Sequence, residues 1–198
     1  MLTGQFCFVL LQCRIKIMKM KFLEQEIKGV FIIEPDRYGD SRGYFCEVFK
    51  KEEFRAHIGD VEFIQDNESL SSFGVLRGLH FQKNEFAQAK LVRVSSGRVL
   101  DVAVDLRTGS PTFGKHVAVE LSSDNGRQLF IPRGFAHGFV VLSDTAQFQY
   151  KVDNIYAPKS ECTLSYDDPE LGIDWRLGSG DVKLSEKDKA GLRLKDIK

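Results

Sequence analysis

The sequence predicts an all-β domain, a sandwich or barrel of short antiparallel strands with a few short helices at its margin. Three observations support this. Short runs that alternate apolar and polar residues recur through the middle of the chain. Gly, Pro, Asp and Asn punctuate them at close intervals. Sixteen Phe against one Trp are spread along the length, which suits an aromatic-rich β core.

Length and composition set the frame. At 198 residues and 42% apolar, the chain is sized for one domain with a substantial core. Its 28 basic and 28 acidic residues balance, which gives no ground for a nucleic-acid or membrane-surface partner. A local cluster of arginines can still hold a phosphorylated small molecule without showing in the net charge. Cysteines stand at 7, 13, 46 and 162, with no CxxC pair and no zinc spacing. They read as reduced thiols of a cytoplasmic protein.

The first seventeen residues, MLTGQFCFVLLQCRIKI, are out of character with the rest. The apolar run Phe6 to Leu11 is too short to cross a bilayer, and the basic leader and small-residue cleavage site of a secretory signal are missing. Gln12 before Cys13 makes a poor lipoprotein box. The domain is expected to open at Met18 or Met20. Residues 1–19 then form an extension, disordered or upstream of the true start, and 20–198 form a single domain.

The elements follow in order. Val30–Glu34 is a strand ended by Pro35. YGDSRGYFCEV (38–48) is a turn around Gly39, Asp40 and Gly43 that leads into an aromatic strand. Lys50–His57 is the clear helix of the first half, with Gly59 as its stop. Glu62–Asn67 is a further strand. Leu91–Val94, a Ser-Ser-Gly turn and Val99–Arg107 read as a hairpin. In its second arm Leu100, Val102, Val104 and Leu106 face one way, and Asp101, Ala103, Asp105 and Arg107 the other. His116–Leu121, Leu129–Pro132, Gly138–Leu142 and Thr145–Val152 complete the set. In the last of these Ala146, Phe148, Tyr150 and Val152 share a face, opposite Gln147, Gln149 and Lys151. Beyond Pro158 the patterning loosens, and Ser185–Leu192 reads as a short terminal helix.

Chemistry concentrates in Val75–Lys90, VLRGLHFQKNEFAQAK, which opens as a strand. His80 is the one imidazole of this stretch, a residue type suited to proton transfer, and Arg77 and Lys90 bracket it with positive charge. A base beside cations suits proton abstraction next to a carbonyl, with the cations holding the oxyanion. Strict alternation puts Arg77 on the face opposite His80, a conflict that a bulge at Gly78 would resolve.

GRQLFIPRGFAHGF (126–139) has the form Gly-x5-Pro-x-Gly-x2-His and resembles the second motif of the cupin superfamily, in which a turn delivers a histidine into a small jelly-roll barrel. The Asn usual four residues later is Val141 here. The first motif's HxH pair is reduced to His80-Phe81-Gln82. His80 and His137 are then two ligands where a catalytic metal needs three, so no metal is expected.

Eight blocks in order carry a narrower resemblance: DSRGYFCEVF (40–49), FIQDNES (63–69), VLRGLHFQ (75–82), QAKLVRV (88–94), DVAVDLR (101–107), SPTFGK (110–115), IPRGFAHGF (131–139) and LSEKD (184–188). Together they resemble the dTDP-4-dehydrorhamnose 3,5-epimerase family over most of 20–195. The resemblance implies a cupin-type double-stranded β-helix, or jelly-roll barrel, with a few short peripheral helices. It also implies cofactor-independent epimerisation of dTDP-4-dehydro-6-deoxy-D-glucose at C3 and C5 through an enolate. The product, dTDP-4-dehydro-L-rhamnose, feeds rhamnose into cell-envelope polysaccharide.

Carried onto this chain, the resemblance makes His80 the base, Lys90 the stabiliser of the enolate oxygen and Tyr150 the acid on the opposite face. Asp188 becomes the partner that fixes the His80 tautomer. On spacing alone, Ser185 to Asp188 is a helix-capping pattern, and Asp101 is the substitute partner. Substrate contacts fall to Arg42, Glu47, Gln65, Asn67, Arg77, His137, Glu161 and Lys187. Tyr156 matches the position that stacks on thymine, and Tyr38 adds a second aromatic face. The family forms dimers through shared strands. An N-terminal arm such as Val30–Glu34 would pair across subunits, with Arg42 completing the neighbour's site. Two rivals stand beside this reading: a C3-only epimerase or ketoisomerase of a related sugar, and a non-catalytic nucleotide-sugar-binding barrel.

Overall fold

The structure is a computed structural model and describes residues 19–197. All but Lys19 of the expected extension, with Cys7 and Cys13, lies outside the described residues.

Two antiparallel sheets pack face to face. The strands are β1 (Met20–Glu24), β2 (Phe31–Pro35), β3 (Arg37–Asp40), β4 (Gly43–Cys46), β5 (Gln65–Ser72), β6 (Leu76–Gln82), β7 (Lys90–Ser96), β8 (Arg98–Asp105), β9 (His116–Ser122), β10 (Gln128–Ile131), β11 (Phe135–Val141), β12 (Thr145–Val152) and β13 (Glu161–Thr163). One sheet runs β1-β2-β10-β7-β12-β5 and the other β13-β6-β11-β8-β9, with β3 and β4 as a separate hairpin. This is the jelly-roll arrangement that the family resemblance implies, within the sandwich or barrel that the strand pattern predicts. Helix α1 (Lys51–His57) lacks the residue assigned at its start because Lys50 is the N-cap, and Gly59 follows it at φ +122°.

Three apolar layers hold the domain together. Between the sheets, Val92, Val94, Val99, Ala103, Leu129, Ile131, Phe139, Ala146 and Phe148 form the central core. Outside the five-stranded sheet, Leu100, Val102 and Val104 are covered by Leu164, Leu171, Trp175 and Leu194 of the C-terminal segment. Outside the other sheet, α1 lays Phe54 beside Ile33, Leu91 and Phe130. Both faces of β8 are therefore buried, and its Asp101 lies on the inner one.

Several sequence expectations are corrected. Leu91–Val94 and Val99–Arg107 do not pair with each other: β7 lies between β10 and β12, and β8 between β11 and β9. Gly97 (φ +81°) carries the chain from one sheet to the other, and a tight Ser-Gly turn has the same sequence signature in either case. The strand assigned to Glu62–Asn67 is Gln65–Ser72. Its inward residues Gln65, Asn67 and Ser69 are polar, so hydrophobic alternation fails there. The expected Ser185–Leu192 helix is only α2 (Glu186–Lys189), and Leu192 instead forms a bridge to Leu164. The Val30–Glu34 arm is not free to pair with a neighbour, because β2 is flanked by β1 and β10 within the chain.

Candidate active site

A cavity of about 410 Å³ opens between the sheets at the β5 edge. Its walls include Asn67, Arg77, His80, Lys90, His137, Tyr150, Lys187 and Asp188, with Phe139 and Phe148 stacked as its floor at 4.0 Å between ring centroids. His80 on β6 and His137 on β11 face each other in register on the five-stranded sheet. Lys90 on β7 and Tyr150 on β12 belong to the six-stranded sheet, where Tyr150 pairs with Val92, two residues along from Lys90. Residues two apart on a strand share a face, so Lys90 projects with Val92 and Tyr150 into the gap. Histidine and tyrosine thus face the cavity from opposite walls.

The conflict over Arg77 resolves at Gly78. Along β11, His137 pairs with His80 and Phe139 with Arg77, so two steps on one strand meet three on the other. The extra residue is a bulge that turns Arg77 to the same side as His80. Only glycine serves here: Gly78 has φ +137°, and a Cβ would stand 2.5 Å from the Gly138 Cα. The turned guanidinium donates from Nε to the Ser71 hydroxyl at 3.1 Å.

Asp188 is both cap and partner. Its Oδ2 accepts the Ser185 backbone N–H at 3.4 Å and its own N–H donates to Ser185 Oγ at 3.2 Å, which closes the capping box of α2; Oδ2 also accepts the Ser185 hydroxyl at 2.6 Å. Its Oδ1 accepts the Gly78 N–H at 3.3 Å and lies 2.7 Å from His80 Nε2. Burial alone would raise this carboxyl. The hydrogen bonds from His80 and Ser185 outweigh burial and hold it at about 2. A carboxylate only accepts, so the proton between the two residues sits on Nε2 and the lone pair of His80 on Nδ1. Asp101, the substitute partner, serves the other histidine instead: its oxygens lie 2.9 and 3.1 Å from His137 Nε2.

Burial pulls the Lys90 ammonium down to about 8, against the carboxylates of Asp101 and Glu161, which favour its charge. It makes no hydrogen bond or ion pair among the described residues and so remains available to a bound oxyanion. Burial raises the Tyr150 phenol, with Arg77 opposing, and keeps it protonated as a donor.

The remaining assigned residues divide. At the rim, Glu161 pairs with Lys187 and accepts the Tyr156 hydroxyl at 2.7 Å, which links β13, α2 and the loop before β13. Burial opposes ionisation of Glu161, but these bonds keep it below the usual range. Gln65 donates to Asn67 at 2.7 Å beside the cavity. Gln65, Tyr156 and Glu161, like Arg42, Tyr38 and Glu47, are not among the cavity's wall residues. The Arg42 side chain is 88% exposed and pairs with Asp40, and the Tyr38 hydroxyl donates to Asp36 at 3.0 Å. Sequence reasoning missed Ser71 and Ser185, small polar residues whose partners lie at a β-bulge and a helix start. It also missed Asp101 as the partner of His137, although the inward parity of Asp101 was visible.

Known proteins resemble this chain over most of its length. The family model for dTDP-4-dehydrorhamnose 3,5-epimerase matches residues 24–196. A dTDP-4-dehydrorhamnose 3,5-epimerase of Escherichia coli (strain K12) is 51% identical over 179 residues, 90% of this chain and 96% of the relative. The crystal structure of a dTDP-6-deoxy-D-glucose-3,5-epimerase from Legionella pneumophila Philadelphia 1, in complex with dTDP-4-keto-L-rhamnose, is 50% identical. It superposes with a TM-score of 0.87, covering 91% of this chain and 95% of that one. A 3'-monoepimerase from Streptomyces bikiniensis in complex with dTDP-quinovose is more distant, at 34% identity and a TM-score of 0.80 over 87% of each chain.

Proposed function

The chain belongs to the dTDP-4-dehydrorhamnose 3,5-epimerase family, and on that premise we propose how its own residues invert two carbons of one sugar. The substrate is dTDP-4-dehydro-6-deoxy-D-glucose and the product dTDP-4-dehydro-L-rhamnose. The C4 ketone makes the protons on C3 and C5 acidic, because either departure leaves an enolate. His80 Nδ1 takes the proton, and Asp188 holds the ring and stabilises the imidazolium that forms. The Lys90 ammonium stabilises the enolate oxygen, and the Tyr150 phenol returns a proton to the other face. The chemistry is supplied by these side chains, without a cofactor.

The observation that carries this reading is the placement of His80 and Tyr150 on opposing sheets of one cavity. Inversion needs base and acid on opposite faces of the ring, and two walls of a barrel provide them. Each positioned acid or base typically contributes about 10²–10⁴-fold. Arg77 and Lys187 supply charge for the diphosphate, Tyr156 a face for the thymine, and Gln65, Asn67, His137 and Glu161 further polar contacts.

The enzyme works as a homodimer in the cytoplasm, on the path to rhamnose for polysaccharide. Arg42, Glu47 and Tyr38 reach the partner's cavity rather than their own. The β3–β4 hairpin supports this, since Tyr44 and Phe45 are 63% and 61% exposed on it.

Incubation with the keto sugar in D2O tests the reading. Deuterium at C3 and C5 with an L-configured product is expected. Deuterium at C3 alone would make it a single epimerase, the activity for which the Streptomyces neighbour is named. No deuterium at either carbon would leave a nucleotide-sugar binder.

A further inference from the structure

Asp101 is fully buried on the inner face of β8, between Phe139 of β11 and Val119 of β9. A carboxylate removed from water costs several kcal/mol unless something compensates it. Its hydrogen-bonding partner among the described residues is His137, which is itself buried. A neutral imidazole satisfies hydrogen bonding but brings no counter-charge. Lys90, on β7 of the opposite sheet, lines the same cavity as His137.

We propose that Asp101 is a positioning residue for this reaction: its carboxylate fixes His137 with the proton on Nε2, and its charge keeps Lys90 an ammonium facing the enolate oxygen. The first half follows from contact. An ionised carboxylate only accepts, so Nε2 carries the proton and Nδ1 the lone pair, as an acceptor for a substrate hydroxyl.

The second half follows from what surrounds Lys90. His80, His137 and Tyr150 share its cavity, Arg77 and Lys187 bring like charge, and Asp101 and Glu161 bring opposite charge. Both carboxylates favour the ammonium, and among the described residues Asp101 pairs with the His137 imidazole and with no lysine or arginine. Glu161 is already paired with Lys187 at the rim. Burial lowers both Lys90 and His137, which fits an ammonium that depends on its counter-charge and an imidazole that stays neutral. The role of Lys90 as oxyanion holder rests on the reading above, but its charge can be measured without turnover.

The test is an NMR titration of the full chain with 13C-labelled lysine, comparing the wild type with Asp101→Asn and assigning Lys90 through Lys90→Arg. Asparagine keeps the size and an acceptor but removes the charge. The Lys90 midpoint is expected to fall by about one pH unit or more, a tenfold loss of proton affinity. The alkaline limb of kcat should move with it, and KM should change less. A midpoint that stays in place, even if activity drops, would reduce Asp101 to a structural residue and overturn the proposal. If Asp101→Asn fails to fold, 15N-labelled histidine in the wild type decides. The proposal requires His137 protonated on Nε2, and an Nδ1–H tautomer would overturn it. If the titrations behave as expected but no deuterium enters the sugar, the proposed function fails and the electrostatic pairing stands.

Discussion

His80 and Asp188 are 108 residues apart in the chain, yet His80 Nε2 lies 2.7 Å from an Asp188 oxygen whose twin caps helix α2. One carboxylate thus ties the base to the C-terminal segment. Replacing Asp188 with Ala should cost turnover by about 10²-fold or more and destabilise the fold by about 1 kcal/mol through the lost cap. The pH dependence has a definite sign. The folded carboxyl lies at about 2, below its value in an unfolded chain, so its contribution is complete above the unfolded pKa of about 4. It disappears as the pH falls through the folded value. Denaturant melts of wild type and Asp188→Ala should differ most above about pH 5 and converge toward about pH 2; a gap that widens in acid would contradict this assignment.

His80→Asn should reduce turnover by about 10³-fold or more while leaving dTDP affinity within about threefold, because the base touches the sugar carbon rather than the nucleotide. Calorimetric titration with dTDP beside the turnover assay checks both halves. Equal loss of affinity and turnover would point to a binding role instead.

Tyr150→Phe separates the two halves of the reaction. The ring keeps its place beside Phe148, 6.2 Å away between centroids, so stability should change by less than about 1 kcal/mol. Proton removal by His80 survives, and return from the opposite face does not. Deuterium wash-in at C3 of the unchanged sugar should continue while L-configured product falls by about 10²-fold or more. Loss of wash-in along with product would place the phenol in the first step.

How far the sequence reaches is visible in these residues. Strand parity alone aims Tyr150 inward, because a half-buried strand has a period of two. The same rule misplaces Arg77, since a bulge of one residue reverses parity and leaves only a glycine as its trace. The Ser185–Asp188 spacing reads as a helix cap, and it is one; that the other oxygen meets a histidine from β6 is a tertiary fact with no local signature. The hairpin reading fails for a related reason. A Gly turn between two apolar strands does not say whether the second strand pairs with the first or crosses to the opposite sheet.

Gly78→Ala tests the bulge directly. The added carbon would sit 2.5 Å from the Gly138 Cα and 3.0 Å from the His137 carbonyl oxygen, at a φ that an L side chain rarely adopts. Neither backbone can yield easily, as β11 is hydrogen-bonded to strands on both sides. A loss of several kcal/mol is expected, or a folded protein whose Arg77 and His80 no longer share a face. Thermal melts and dTDP binding distinguish the two. A fully active, equally stable variant would show that the bulge is not needed.

The dimer reading makes its own prediction. If Arg42 serves the partner's cavity, Arg42→Ala and His80→Asn disable different protomers' contributions to one site. In a mixed dimer, the cavity of the Arg42→Ala protomer keeps its own His80 and receives an intact Arg42 from the His80→Asn protomer. The other cavity lacks both. Two nearly inactive proteins, unfolded and refolded together at equal ratio, should therefore recover activity to about a quarter of wild type, since random pairing makes about half the dimers mixed and each restores one site. Sedimentation should give about twice the 22.5 kDa chain mass. A dimer without recovery would place Arg42 outside the partner's site, and a monomer would remove the shared site altogether.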